Sequence, residues 1–272
     1  EMLGALADGG TVDLSGKRVC VIGGGNVAMD VTRSAIRLGA SPVKTVYRRR
    51  QVDMTALVEE VRSAVAEGAE IMGLHAPVRI ETDENNHVTA LITQPKLIGK
   101  YGRDGRPAPA DCELPEERIP CDVVIVAIGQ GIETHYFEEK GIPIKRGVIA
   151  AENWSAIENA PGVFAGGDCV TGPATAIRAI AAGKVAAANI DTYLGYNHEI
   201  RSDVEIPAPR LCDNPPCGRV NVKERPASER KRDFDCVECP LTGEEIAQES
   251  GRCLRCDHFG YGVFKGGRET KW

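Results

Sequence analysis

The chain is poor in aromatic residues, which make up 5% of its 272 positions, and has no long hydrophobic run and no block of one charge sign longer than Arg48-Arg49-Arg50. The longest apolar stretches, such as residues 123–128, are far shorter than the roughly 20 residues a membrane-spanning helix needs, so no membrane span is expected. Thirty-three basic against 39 acidic residues give a net charge of -6, which leaves no broad cationic surface and no nucleic-acid partner to expect. The ten cysteines are too dilute for a disulfide-stapled secreted scaffold, and no signal-peptide pattern opens the chain, so a reducing, cytoplasmic setting is the expectation. What is abundant is glycine, thirty residues of it. With so few aromatics, that suits an α/β architecture in which backbone turns hold the ligand. The length favours two modest domains. The first residue is Glu1, not methionine, as expected of a processed product or a piece of a longer chain.

Residues 1–15 lack periodicity and read as a lead-in loop. A β-branched run at 18–22 reads as a buried strand, Gly23-Gly24-Gly25 as a turn, and Val27, Val31, Ala35 and Leu38 as the apolar stripe of a helix closed by Gly39. A strand at 43–47, a helix around 57–65, a hairpin about Asn85-Asn86, a loop over 99–119 and a buried strand at 122–128 complete a Rossmann-type domain over 16–135. Residues 136–197 carry a strand-like run at 162–165 and a helix from about Pro173 to Leu194. Residues 198–272 read as an extended tail with six prolines and six of the ten cysteines.

Gly23-Gly24-Gly25-Asn26-Val27-Ala28 fits G-x-G-x-x-A between a strand and a helix. The first glycine permits the tight turn, Gly25 lets the backbone approach a pyrophosphate, Ala28 allows close helix packing, and the helix N-terminus offers N–H groups to the anion. A glycine-rich turn without a ligand is the alternative. Where an NAD-binding domain carries Asp or Glu, this chain has Tyr47-Arg48-Arg49-Arg50. Guanidinium groups there can grip the 2′-phosphate of NADP, so NADPH is favoured, with a solvated arginine cluster as the alternative. Further on, Gly166-Gly167-Asp168 and the helix start Gly172-Pro173-Ala174-Thr175-Ala176-Ile177 would set a carboxylate and backbone N–H groups beside one ligand, an arrangement suited to a flavin anion. Asp168 serving only a turn is the alternative.

The strings GKRVCVIGGGNVAMDVTRSAIRLGA, VYRRR, DVVIVAIGQ and GVFAGGDCVTGPATAIRAIAAGKVAAANI, in that order across residues 12–196, resemble the small (β) subunit of NADPH-dependent glutamate synthase. They are similar too to the flavoprotein part of dihydropyrimidine dehydrogenase and the large subunit of bifurcating ferredoxin:NADP oxidoreductase. The resemblance implies that Gly23, Gly25, Asn26 and Ala28 contact the nicotinamide dinucleotide and that Arg48 and Arg49 hold its 2′-phosphate. It implies further that Gly129 lies at the domain crossover, that Gly167 and Asp168 serve FAD with Asp168 on the ribityl chain, and that the backbone of Thr175, Ala176 and Ile177 meets the flavin ring. Such proteins carry an earlier G-x-G-x-x-G for the ADP half of FAD, and none precedes residue 16. The expectation is therefore a C-terminal part of an FAD-binding domain whose N-terminal half comes from another segment or polypeptide.

In the tail, Cys236-x-x-Cys239 and Cys253-x-x-Cys256, thirteen residues apart, form paired turns of the kind that bind zinc or an iron–sulfur cluster. An oxidoreductase context favours a 4Fe-4S cluster, with zinc as the alternative; a short helix over 241–250 would return the second turn to the first. Cys212, Cys217 and His258 are spare ligands, while the isolated Cys20, Cys112, Cys121 and Cys169 read as small buried hydrophobes. The expected function is an electron-input module passing electrons from NADPH through FAD to iron–sulfur acceptors in a complex with other subunits. A relay or docking module without its own flavin and a thioredoxin-reductase-like disulfide enzyme are the alternatives. No acid–base catalytic residue is nominated, because the cofactors carry the chemistry.

Overall fold

The structure, a computed structural model, describes residues 2–103, 105–152, 155–198 and 217–252, so Cys212, Cys253, Cys256 and His258 lie outside the described residues. In chain order the elements are α1 (Met2–Ala7), β1 (Val19–Ile22), α2 (Asn26–Arg37), β2 (Val43–Tyr47), α3 (Val58–Glu67), β3 (Glu70–Gly73), β4 (His75–Thr82), β5 (Val88–Tyr101), β6 (Pro107–Asp111), β7 (Glu117–Pro120) and β8 (Val123–Val126). They continue with α4 (His135–Glu139), β9 (Ile144–Lys145), β10 (Val148–Ile149), β11 (Ala151–Glu152), β12 (Ala156–Ile157), α5 (Asp168–Thr171), α6 (Ala176–Tyr193), α7 (Ala227–Arg230) and α8 (Gly243–Gly251). Two compact units emerge. The first comprises residues 1–129 and 221–242, the second residues 130–220 and 243–272.

The first unit is built on a parallel sheet of order β3-β2-β1-β8, in which Ile22 lies opposite both Val46 and Val126. Every residue of β1 is buried, because both faces of the sheet are covered. On one face α2 and α3 pack Ala28, Met29, Val31, Ala35, Val61 and Ala64 against Val19 and Val21. On the other, Cys20, Ile22 and Val46 meet Leu91, Ile119 and Cys121 of the antiparallel β4-β5-β6/β7 meander. Each large side chain so buried contributes about 1.5–3 kcal/mol. Gly39 ends α2 at φ +85°, with its N–H bonded to Ile36 O and that of Ala40 to Ala35 O, the 6→1 and 5→2 pair of a Schellman motif.

Several expectations are corrected. The lead-in loop contains α1, whose Met2 and Leu3 pack against the core beside Leu14. The loop over 99–119 instead supplies the end of β5, all of β6 and most of β7. Prolines 107, 109 and 120 are tolerated there because edge and strand-end positions do not need every N–H. Val27 faces outward at 57% exposure, while Ala28, its neighbour in the first turn of α2, is the residue buried on the sheet. In the second unit, 162–165 forms only an isolated bridge from Phe164 to Ala156, and the long helix begins at Ala176 after the separate short α5. The tail is not uniformly extended: residues 221–242 fold as part of the first unit.

Candidate functional site

The glycine-rich turn sits where β1 meets α2. Gly23 has φ +149°, and a Cβ on it would lie 2.3 Å from the carbonyl oxygen of Ala127, just beyond β8. Only glycine fits a turn pressed so closely on the neighbouring strand. A Cβ on Gly24 would lie 2.5 Å from a ring carbon of Tyr47, so this glycine is needed because the aromatic ring lies on it. Gly25 is the N-cap of α2, Ala28 is fully buried against the core, and Asn26 and Val27 are exposed at the helix start. The first N–H groups of α2 have no intrahelical acceptor and form the kind of cradle that favours an anion.

The residues after β2 fold back over this turn. The N–H groups of Thr55 and Ala56 both donate to Gly24 O at 3.0 Å, and that of Leu57 donates to Asn26 Oδ1 at 2.8 Å. The amide oxygen of Asn26 is therefore engaged within the protein, leaving its NH2 group to reach a ligand. Tyr47 OH donates to Asp53 O at 3.1 Å. Arg50 grips the Asp53 carboxylate with Nε at 2.7 Å and Nη2 at 2.8 Å, and this holds the largely buried Asp53 carboxyl below its usual range. Of the three consecutive arginines, Arg50 is thus structural. Arg48 is exposed and Arg49 half-buried, with a buried Nε that has no hydrogen-bond partner among the described residues. The residues here fit an NADP 2′-phosphate: a turn closed to a Cβ at Gly23 and Gly24, with two guanidinium groups after β2 that pair with no carboxylate among the described residues. Sequence reasoning missed Tyr47, Asp53, Thr55 and Leu57; the one available signal was the Arg50/Asp53 spacing of three. Gly129, at φ +103° with open space around it, ends the first stretch of the unit.

In the second unit, Gly167 adopts φ +77° as the N-cap of α5, and Gly166 and Gly167 lie against Ala182 and Ala179 of α6. Asp168 opens α5, and its Oδ1 accepts the N–H of Ala174 at 3.2 Å, which ties the 166–168 turn to the approach to α6. Thr175 caps α6 with extended backbone but makes no side-chain cap bond, and Thr175, Ala176 and Ile177 are exposed. The turn and the helix start are therefore adjacent and open, compatible with one elongated ligand such as FAD. α6 itself buries no residue: Ile177, Ile180 and Ile190 are 70%, 56% and 40% exposed.

Cys236 is exposed and Cys239 half-buried, on a segment held by Arg225 N–H to Val237 O and Cys239 N–H to Lys223 O. Among the described residues no three metal-ligating side chains gather, and the other two expected ligands lie outside them. Cys20 and Cys121 are buried side by side, where the neighbouring Cys121 and burial push the Cys20 thiol well up, so it is a packing residue. Cys112 and Cys169 are half-buried, their thiols donating to Pro95 O and Gly166 O.

Among the described residues no helix is long and apolar enough to cross a membrane. Residues 5–183 match the family model described as pyridine nucleotide-disulphide oxidoreductase. The chain is 36% identical to the NADP(+)-dependent formate dehydrogenase subunit beta of Moorella thermoacetica, over 94% of this chain and 38% of that protein. Most of the cysteine-rich tail therefore falls within the match. It is 35% identical to the glutamate synthase [NADPH] small chain of Azospirillum brasilense, over 68% of this chain and 39% of that one. The chain thus spans well under half the length of these relatives. Among solved structures, Mycobacterium tuberculosis FprA in complex with NADPH superposes with a TM-score of 0.54 at 21% identity, over 67% of this chain and 54% of that one, a likeness of fold. With two thirds of its residues inside the family model, this chain belongs to the pyridine nucleotide-disulphide oxidoreductase family.

Proposed function

We propose that the chain is the electron-input part of a larger oxidoreductase, taking electrons from NADPH and passing them through FAD to iron–sulfur acceptors in partner subunits of a cytoplasmic complex. The observation that carries this reading is the cradle of Gly23, Gly24 and Gly25 beside Arg48 and Arg49, neither of which forms an ion pair with a carboxylate among the described residues. When bound, NADPH supplies a hydride and FAD links that two-electron donor to one-electron acceptors. The chain's own part is to bind and orient. The N-terminus of α2 takes the pyrophosphate, Arg48 and Arg49 the 2′-phosphate, the NH2 of Asn26 a neighbouring polar group, and Val27 flanks the helix start. Gly167, Asp168 and the backbone of Thr175, Ala176 and Ile177 are the corresponding candidates for FAD, with Gly129 at the domain crossover after β8.

The exposed apolar face of α6 supports the further reading that another segment or polypeptide supplies the N-terminal half of the FAD domain. Cys236, Cys239, Cys253 and Cys256 are the proposed ligands of a 4Fe-4S cluster, with zinc as the competitor that analysis of iron, sulfide and zinc distinguishes.

The test is a titration of NADPH and NADH into the wild-type chain and into the Arg48→Ala/Arg49→Ala double variant. Each charged hydrogen bond lost costs about 1.5–3 kcal/mol, one to two decades of affinity. NADPH binding is expected to fall by that amount per arginine while the weaker NADH binding barely moves. Equal wild-type affinities for the two nucleotides would overturn the assignment.

A further inference from the structure

Away from the nucleotide turn, the first unit holds a second concentration of charge. Glu67, the last residue of α3, has a side chain with no exposure at all, yet it is ionically paired with three arginines. Arg33 of α2 reaches both its oxygens, with Nη2 at 2.9 Å, and Arg37 of α2 donates from Nη1 at 2.9 Å. The third is Arg230 of α7, 5% exposed, with Nε 2.9 Å from Glu67 Oε1 in an ion pair not aligned as a hydrogen bond. Glu60 pairs with Arg33 and Glu224 with Arg230, so three carboxylates face three guanidinium groups.

Arg230 and Glu224 both belong to residues 221–242, the strap that carries Cys236 and Cys239. The strap is internally braced: Arg225 holds Asp233 through two bonds of 2.7 and 2.8 Å, and a Glu224–Glu238 bridge pairs its ends. Phe234 and Val237, on either side of Cys236, line a shallow cavity of about 220 Å³ with Arg33 and Arg37 of α2. The cysteine turn is thus seated on the same two α2 arginines that hold Glu67.

We propose that Glu67 is the latch that fixes the 221–242 strap to α2 and α3, and is thereby the positioning residue for the Cys236-x-x-Cys239 metal-binding turn. The strap brings a cation that is already paired with Glu224, and burying it is favourable only because Glu67 receives it; without Glu67, three largely buried guanidinium groups are left facing the partly exposed Glu60 and Glu224. Removing one partner of such a buried set is strongly unfavourable. A fixed turn presents its two thiolates at constant separation, so less order has to be imposed when a metal arrives. The consequence for ligation rests on the reading of Cys236 and Cys239 as ligands; the latch itself does not.

The experiment is hydrogen exchange on the full 272-residue chain, reduced and metal-free, comparing wild type with Glu67→Gln, Arg230→Met and the double variant. In each single variant, exchange across 221–242 is expected to rise on the order of a hundredfold, while peptides from β1 and β2 keep their protection. The double variant strands no buried guanidinium from the strap and leaves unpaired only Glu224, whose carboxylate is 42% exposed and remains hydrated, so it is expected to exchange less than Glu67→Gln alone. Unchanged strap exchange would overturn the proposal, as would an equal loss across β1 and β2, which would make Glu67 a general stabiliser of the unit. Should Glu67→Gln fail to fold, Arg230→Met still decides, because it leaves Glu67 paired with Arg33 and Arg37. Titration with cobalt(II) supplies the positioning readout: a thiolate-to-cobalt absorption band is expected in wild type, and at roughly tenfold higher metal concentration in Arg230→Met. No band in wild type, alongside the expected change in strap exchange, would remove the ligand reading and leave the latch standing; equal affinity in both proteins would overturn the positioning role.

Discussion

In the first unit, α2 buries Ala28, Met29, Val31, Thr32 and Ala35 along twelve residues, whereas α6 of the second unit runs for eighteen and buries none. The two helices differ in design as well as in surroundings. α2 is amphipathic, with Asp30, Arg33 and Arg37 on the face away from the sheet, while α6 is alanine- and isoleucine-rich nearly all round, with Arg178, Lys184 and Asp191 as its charges. A helix apolar on every side belongs in an interior. The first unit therefore contains both sides of its core, and the second contains one. The same contrast holds for charge: Glu67, Asp53 and Arg230 are buried in the first unit, and among the described residues of the second no charged side chain is.

The sharpest way to break this comparison is to introduce a methyl group at matched turns. Gly23→Ala forces a Cβ to 2.3 Å from a backbone oxygen at φ +149°, and is expected to cost the first unit about 3 kcal/mol or more and to abolish NADPH binding, read by urea unfolding and titration. Next in size is the acid response. The surrounding arginines outweigh burial and hold the Glu67 carboxyl below its ordinary value of 4.5. A depressed carboxyl contributes stability that is present above the unfolded value and lost as pH falls through the lower folded one. Urea midpoints of the first unit should thus fall steadily below about pH 4.5, and Glu67→Gln should flatten that slope. In the second unit Asp191 is also held low, by the exposed His198, and its surface position makes the response small.

Smaller still, Gly167→Ala places its Cβ at an ordinary 3.6 Å from Ala179 and meets only the backbone cost of a side chain at φ +77° and ψ -151°, a region kept almost wholly by glycine, of about 1–3 kcal/mol. Equal losses at Gly23 and Gly167 would show that the two turns are under the same constraint after all. The least effect is expected for Asn26→Ala, which removes the acceptor for Leu57 N–H and should cost about 0.5–1.5 kcal/mol, with a modest loss of NADPH affinity by the same titration.

What was legible in the sequence is local in origin. β1, the glycine turn, α2 and β2 follow from hydrophobic period and glycine placement, and the Gly39 stop from its position after the last apolar residue of α2. α1, only six residues long, is too short to show a period. The strands of 99–119 are masked by prolines that ordinarily argue against a strand, and pairing with β5 overrides them. The site was read in its parts but not in its assembly. Which of Arg48, Arg49 and Arg50 is uncommitted depends on Asp53 turning back through the loop, and no motif announces that Tyr47 lies on Gly24. The least legible feature was the Glu67 cluster, because Glu67, Arg33 and Arg230 read one by one as ordinary surface charges.

The strap also sets an order in time. Arg230 follows Glu67 by roughly 160 residues, so at 5–20 residues per second a ribosome delivers it about 8–30 s after its partner. Within that interval, once β8 has emerged, the nascent first unit can close its sheet and cover it with α2 and α3, but the surface that receives the strap stays bare while the whole stretch 130–220 is made. Completion of the first unit is thus deferred until residues 130–220 of the second have been synthesised, and a chain released before residue 230 leaves Glu67 with Arg33 and Arg37 alone.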